Sequence, residues 1–89
     1  MKYMTSWNIK EENFRAVVKR FTKNPPEVPE GVTMLGRWHQ MGGGDGFALF
    51  ETDDPVALSS YILAWSDIVE QQVYAVVEDE EIAQALSQM

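Results

Sequence analysis

The chain has no cysteine, and its single histidine is His39. Without thiols there are no disulfides and no thiolate sites. That fits a reducing compartment, and the cytoplasm is the expected location. Any metal site would have to be rich in oxygen ligands. Basic residues are also scarce. Seven Lys and Arg stand against fourteen Asp and Glu, for a net charge of −7. Nucleic acid is bound through a basic footprint, so no nucleic-acid partner is expected. Five of the seven basic residues (Lys10, Arg15, Lys19, Arg20 and Lys23) fall in one segment and read as the solvated face of a helix. No apolar run is long enough to span a bilayer, and the opening MKYMTSWNIK lacks the apolar core of a secretory signal. No membrane partner is expected.

What is present is enough for one small domain, residues 1–89. It is centred on residues 31–54, GVTMLGRWHQMGGGDGFALFETDD. Val32 to Gln40 and Phe47 to Thr52 mix β-branched, aromatic and long residues and read as strands. Between them, Met41 to Gly46 holds four glycines in six residues. These supply the backbone freedom that a strand reversal needs. A phosphate-cradling loop would need Lys-Ser/Thr and a helix next, and here a strand follows.

Lys2 to Ile9 reads as a first strand, with Tyr3, Thr5, Trp7 and Ile9 on one side. Glu11 to Phe21 reads as a helix whose apolar stripe is Phe14, Val17, Val18 and Phe21. Its acids at the start and bases at the end suit the helix dipole. Three prolines between Asn24 and Gly31 end it in an extended loop. Asp54-Pro55 opens a second helix, with Asp54 as N-cap, Pro55 at the first helical position, and a stripe of Leu58, Tyr61, Ile62 and Trp65. Asp67 to Val77 reads as the last strand. The acids Glu78 to Glu81 then start a short C-terminal helix carrying Ile82, Ala85 and Leu86.

The order β-α-β-β-α-β predicts an α+β, ferredoxin-like fold with a four-stranded antiparallel sheet and both crossover helices on one face. Phe47 to Phe50 and Val73 to Val77 are apolar at consecutive positions, which point to opposite faces. Both faces therefore require burial, and two helices cover one. The short third helix covers at most part of the other. A second copy would cover all of it, and two facing sheets form an eight-stranded barrel with room for side chains or one small ligand.

The stretches Gly31-Val-Thr-Met-Leu-Gly36-Arg37-Trp38-His39, Gly46-Phe-Ala-Leu-Phe-Glu51-Thr-Asp53-Asp54, Trp65-Ser66-Asp67 and Val76-Val77-Glu78-Asp79-Glu80 give the chain a family likeness. It resembles a family of domains of unknown function within the dimeric α/β-barrel superfamily. That superfamily includes cofactor-free monooxygenases, haem-degrading enzymes, muconolactone isomerases and stress-responsive proteins. The resemblance implies a homodimer, with any pocket between the sheet and its covering elements. It transfers no catalytic residue. Haem degraders of this fold ligate iron through a histidine on a helical segment. His39 falls on a predicted strand, so neither haem nor any other bound cofactor is expected.

Strict alternation along the second strand places Val32, Met34, Gly36 and Trp38 on the helix-covered face. Thr33, Leu35, Arg37 and His39 then take the barrel side. Arg37 and His39 side by side would form an anion clamp and a proton donor or acceptor. The plainer alternative pairs them with Glu51 or Asp53 across the hairpin. Trp38 and Trp65 read as core anchors. Leu35, Phe50, Tyr74 and Trp7 are the candidate ligand-lining residues, with Tyr74 either bringing a hydroxyl to the cavity or packing with it at an edge. The Glu51, Asp53 and Asp54 group is a weak metal site because Asp54 serves as the cap. Glu78 to Glu81 lacks calcium-loop spacing, and Ser59, Ser60 and Ser66 lie in no nucleophile elbow.

Two functions compete on this reading. One is a homodimer that binds or transforms a small apolar or anionic organic molecule without a bound cofactor; by resemblance its chemistry would be monooxygenase- or isomerase-like. The other is a non-catalytic dimeric interaction or stress-related module whose barrel is filled by its own side chains. A pocket of about 300 Å³ or more, reached by Arg37 and His39, favours the first. A plug of Leu35, Phe50 and Tyr74 favours the second.

Overall fold

The computed structural model describes all residues, 1–89. Strand β1 (Lys2–Asn8) leads through a 3₁₀ turn at Glu11–Asn13 into helix α1 (Phe14–Lys23). Strands β2 (Val32–His39) and β3 (Gly46–Thr52) form the hairpin. Helix α2 (Pro55–Leu63), strand β4 (Glu70–Val76) and helix α3 (Asp79–Ser87) follow. The sheet order is β2-β3-β1-β4, antiparallel throughout. This is the ferredoxin-like arrangement that the element order predicts.

Local chemistry sets the joints. The hairpin closes where the Gln40 N–H donates to the Asp45 carbonyl at 2.8 Å, and Gly42 turns the chain with φ of +74°. The Ala57 N–H donates to Asp54 Oδ1 at 3.0 Å, so Asp54 caps α2 and Pro55 stands just inside it. The last strand starts later than Asp67. The Trp65 carbonyl accepts the N–H groups of both Ile68 and Val69, which keeps Asp67 and Ile68 in a turn.

Both crossover helices lie over one face of the sheet, where two small clusters form the core. Val32, Ala48, Phe50, Leu58 and Tyr61 make one, and Val17, Trp65 and Val69 make the other. Only ten residues are buried, a thin core for the chain's length. The accessible surface is 6577 Å², where a compact protein of 10.1 kDa exposes about 5,300 Å². The radius of gyration is 15.0 Å, against about 12 Å for a compact chain of this length.

The excess surface has two sources. One is the helix-free sheet face, where Trp38, Phe47 and Tyr74 are half-exposed beside the partly buried Met4 and Leu49. The other is α3. Its first turn carries Asp79, Glu80 and Glu81, and Glu81 accepts the Glu78 N–H at 3.1 Å. None of its residues is buried, and Ile82 and Leu86 stay exposed. The third helix therefore covers neither face of the sheet.

Candidate functional site

A cavity of about 380 Å³ opens between α1 and the sheet. Its walls explain why it exists. The stripe of α1 (Phe14, Val17, Val18 and Phe21) faces it, yet only Val17 is buried. Helix α1 thus presents its apolar side to a gap and does not pack flush on the strands. Ala48, Phe50 and Tyr61 of one core cluster and Val17, Trp65 and Val69 of the other line the same gap. The floor is Thr5 and Trp7 of β1 with Met34 of β2, and Gly43 and Gly44 of the hairpin turn border the opening.

Arg37 and His39 line this cavity, on the face opposite the one that strict alternation predicts. The cause is a β-bulge. Met34 pairs with Phe50, but the next register pair is Gly36 with Leu49, so Leu35 is an extra residue. One extra residue reverses the parity of everything after it. Arg37 then shares the face of its partner Ala48, and His39 that of Gly46. Trp38 moves the other way. It is no core anchor but lies half-exposed on the helix-free face, tilted over Phe47 with ring centroids 5.3 Å apart. Trp65 is buried as expected and also lines the cavity.

The predicted ligand-lining set divides in two. Trp7 and Phe50 stand in the cavity with Arg37 and His39. Leu35 and Tyr74 do not. Leu35 is exposed at the bulge, and Tyr74 lies opposite Met4 with its hydroxyl donating to Gln72 Oε1. Leu35, Phe50 and Tyr74 therefore cannot plug one chamber, because Phe50 points to the other side of the sheet.

The two basic groups are held by aromatic rings and not by acids. The Arg37 guanidinium sits 4.8 Å from the centroid of Phe21. The His39 ring meets Trp7 at 5.7 Å and Phe21 at 5.9 Å, edge to face in both cases. The cross-hairpin acids are engaged elsewhere: Glu51 with Lys2 at 3.7 Å and Asp53 with the N-terminal ammonium at 3.7 Å. The pairing of Arg37 or His39 with those acids is thereby corrected. Arg37 is left as a cation without an ion pair at the mouth of an apolar chamber, its forked donors free for a carboxylate or similar anion.

The segment read as a solvated basic face also needs correction at one residue. Arg20 donates to both carboxylate oxygens of Asp67 at 2.8 Å and to the Ala64 carbonyl at 2.9 Å, and it lies 5.5 Å from the Trp65 ring. It ties the far end of α1 to the connection between α2 and β4, which holds one wall of the cavity against the other.

Sequence reasoning did not select Thr5, Phe21, Tyr61 or Gln71 for the site. Thr5 and Tyr61 had a visible signal: each is a hydroxyl-bearing residue in an otherwise apolar stripe. Phe21 had none beyond its place in the α1 stripe. No three His, Asp or Glu side chains converge in a way that would hold a metal ion. No helix is long and apolar enough to cross a membrane.

No curated protein and no solved structure matches the chain. A family model described as a domain of unknown function, DUF3303, matches residues 1–89, and the chain belongs to that family.

Proposed function

We propose that the protein binds a small, largely apolar organic anion in the cavity between α1 and the sheet. The observation that carries this reading is Arg37, a cation with no acidic partner at the rim of a 380 Å³ chamber lined mainly by apolar side chains. Pockets of this size and lining suit small ligands oriented by a few polar groups. His39 beside Arg37 supplies a second donor and the only imidazole available to carry a proton. The position of the chamber, between the sheet and its covering helices, agrees with the pocket that the dimeric α/β-barrel resemblance implies. Chemistry of the monooxygenase or isomerase kind rests on that resemblance alone.

We also propose that two copies pair through their helix-free faces. The chain exposes about 1,300 Å² more than a compact protein of its mass, part of it on the helix-free face and part on α3. A standard interface removes about 800 Å² from each partner. The proposed dimer contact and the proposed ligand chamber then lie on opposite faces of the sheet, so binding does not compete with assembly.

The test of the ligand reading is a titration with anilinonaphthalene sulfonate, an apolar aromatic anion that fluoresces when it leaves water. The expected result is saturable binding at one probe per chain, with affinity about tenfold lower in Arg37→Gln, the loss of one charge-assisted contact. Binding without saturation, or affinity unchanged by Arg37→Gln, refutes it.

A further inference from the structure

The deep part of the cavity carries a chemical demand that an apolar wall does not. Thr5 is 1% exposed and Tyr61 is 8% exposed, and both line the chamber. Neither hydroxyl makes a hydrogen bond to any other group of the protein. The side-chain hydrogen bonds of the molecule are all made by other residues. Yet no buried side-chain oxygen is both sealed off and unpartnered. Both hydroxyls therefore keep access to open space, and both residues line the chamber.

Neither residue needs its hydroxyl for packing. Tyr61 meets Phe50 through its ring, with centroids 5.7 Å apart, and phenylalanine would make the same contact. Thr5 sits between Ala48 and Val73 in the sheet, where valine has the same shape and strand preference. A ligand that filled this end with carbon alone would strand two hydroxyls away from any partner, and unmet hydrogen bonds in a buried site weigh against binding.

We infer that the ligand is polar at both ends: an anionic group meets Arg37 at the mouth, and a hydroxyl, phenol or keto oxygen meets Thr5 and Tyr61 at the deep end. An apolar body between them fills the aromatic and aliphatic walls. The class that fits is a small hydroxylated or oxo-substituted aromatic carboxylate. This inference rests on the ligand reading above and narrows it. Thr5 and Tyr61 are the specificity-determining residues, because they decide between a ligand with the second oxygen and one without it.

The test uses phenylacetate and phenylpropanoate, two lengths of one scaffold, each with and without a para-hydroxyl. Affinities for the purified full chain are measured by calorimetry, in the wild type and in the Thr5→Val, Tyr61→Phe double variant. The expected result is that the hydroxylated form of at least one length binds about fivefold tighter than its parent in the wild type, the worth of one ordinary hydrogen bond. In the double variant that preference disappears, and the parent, which no longer strands two hydroxyls, binds more tightly than it does to the wild type. Equal affinity of the members of both pairs in the wild type, or a preference that survives the double variant, overturns the inference and leaves the ligand reading standing. Failure of all four probes to bind a protein that still binds anilinonaphthalene sulfonate overturns the inference and leaves the ligand reading standing. A thermal melt of the ligand-free variants is the second measurement. Thr5→Val is expected to hold or raise the melting temperature, since no partner is lost. A lowered one would mean that the hydroxyl serves the fold, which also overturns the inference.

Discussion

Arg20 and Asp67 meet in a fork, Nη1 to Oδ1 and Nη2 to Oδ2, each at 2.8 Å, across 47 residues of sequence. Because the guanidinium also caps the Ala64 carbonyl and lies against Trp65, this pair joins α1 to the far wall of the cavity. Hydrogen bonding from Arg20 is the main cause holding the Asp67 carboxyl below the usual carboxylate range. Partial desolvation opposes it, and the charge of the guanidinium adds to it.

The sign of the pH effect follows. A carboxyl more acidic in the folded than in the unfolded state stabilises the fold above its unfolded value of about 3.9. That contribution is lost as pH falls through the lower folded value. Asp67→Asn should therefore lower the melting temperature by a few degrees at neutral pH, the scale of one well-formed surface pair. The gap between wild type and variant should close below about pH 4. Thermal melts across a pH series check this. A gap that persists at low pH would assign the loss to packing and not to charge.

The cap of α2 gives a local prediction. Asp54 accepts the Ala57 N–H, and Pro55 occupies a position where its missing N–H costs nothing. Asp54→Ala should cost about 1 kcal/mol, visible as a fall of roughly 4–8 °C in melting temperature for a domain of this size. Asp54→Ser should recover most of it.

Phe50 tests how thin the core is. It is 2% exposed, contacts Tyr61 edge to face, and belongs to the larger of two small clusters. Phe50→Ala should cost about 3–5 kcal/mol, a large part of the roughly 5–13 kcal/mol that a chain of this length commands. The variant should be mostly unfolded at a urea concentration where the wild type is folded. Circular dichroism through a urea titration measures the shift of midpoint.

These cases show which parts of the molecule the sequence discloses. The hairpin turn and the Asp54-Pro55 helix start are legible because their signals are local: a few residues fix a few dihedral angles. The face of Arg37 and His39 is not legible by counting, since one bulge reverses all parity beyond it. A hint existed in Gly36, because a glycine inside a strand often marks a bulge or a close approach. The structure gives its reason: a Cβ at Gly36 would lie 2.3 Å from the Trp38 ring, which folds back over it. The α1 stripe is legible as apolar, but whether Phe14 and Phe21 press on the sheet or border a gap depends on how Arg20 and the β4 connection hold the helix. The acids that start α3 are legible, whereas the packing partner of Ile82 and Leu86 is not encoded nearby.

The helix-free face supplies the last prediction. Trp38 and Phe47 are 49% and 47% exposed, stacked on each other and flanked by Met4, Leu49 and Tyr74. Lys2 stands at one edge, bonded to Glu78 at 3.1 Å and near Glu51 at 3.7 Å, so an apolar centre has a charged border. That is the pattern of an interface with an apolar core and a polar rim. Aromatic side chains at such a centre carry most of the binding energy. In the proposed dimer, Trp38→Asp would set two like charges in the middle of the contact, while touching nothing in the helix-covered core. Sedimentation velocity at micromolar concentration should give a dimer for the wild type and a monomer for Trp38→Asp, with far-ultraviolet circular dichroism unchanged. A wild-type monomer would leave that apolar face without a second copy. It would not affect the chamber on the opposite side, whose walls all come from one chain.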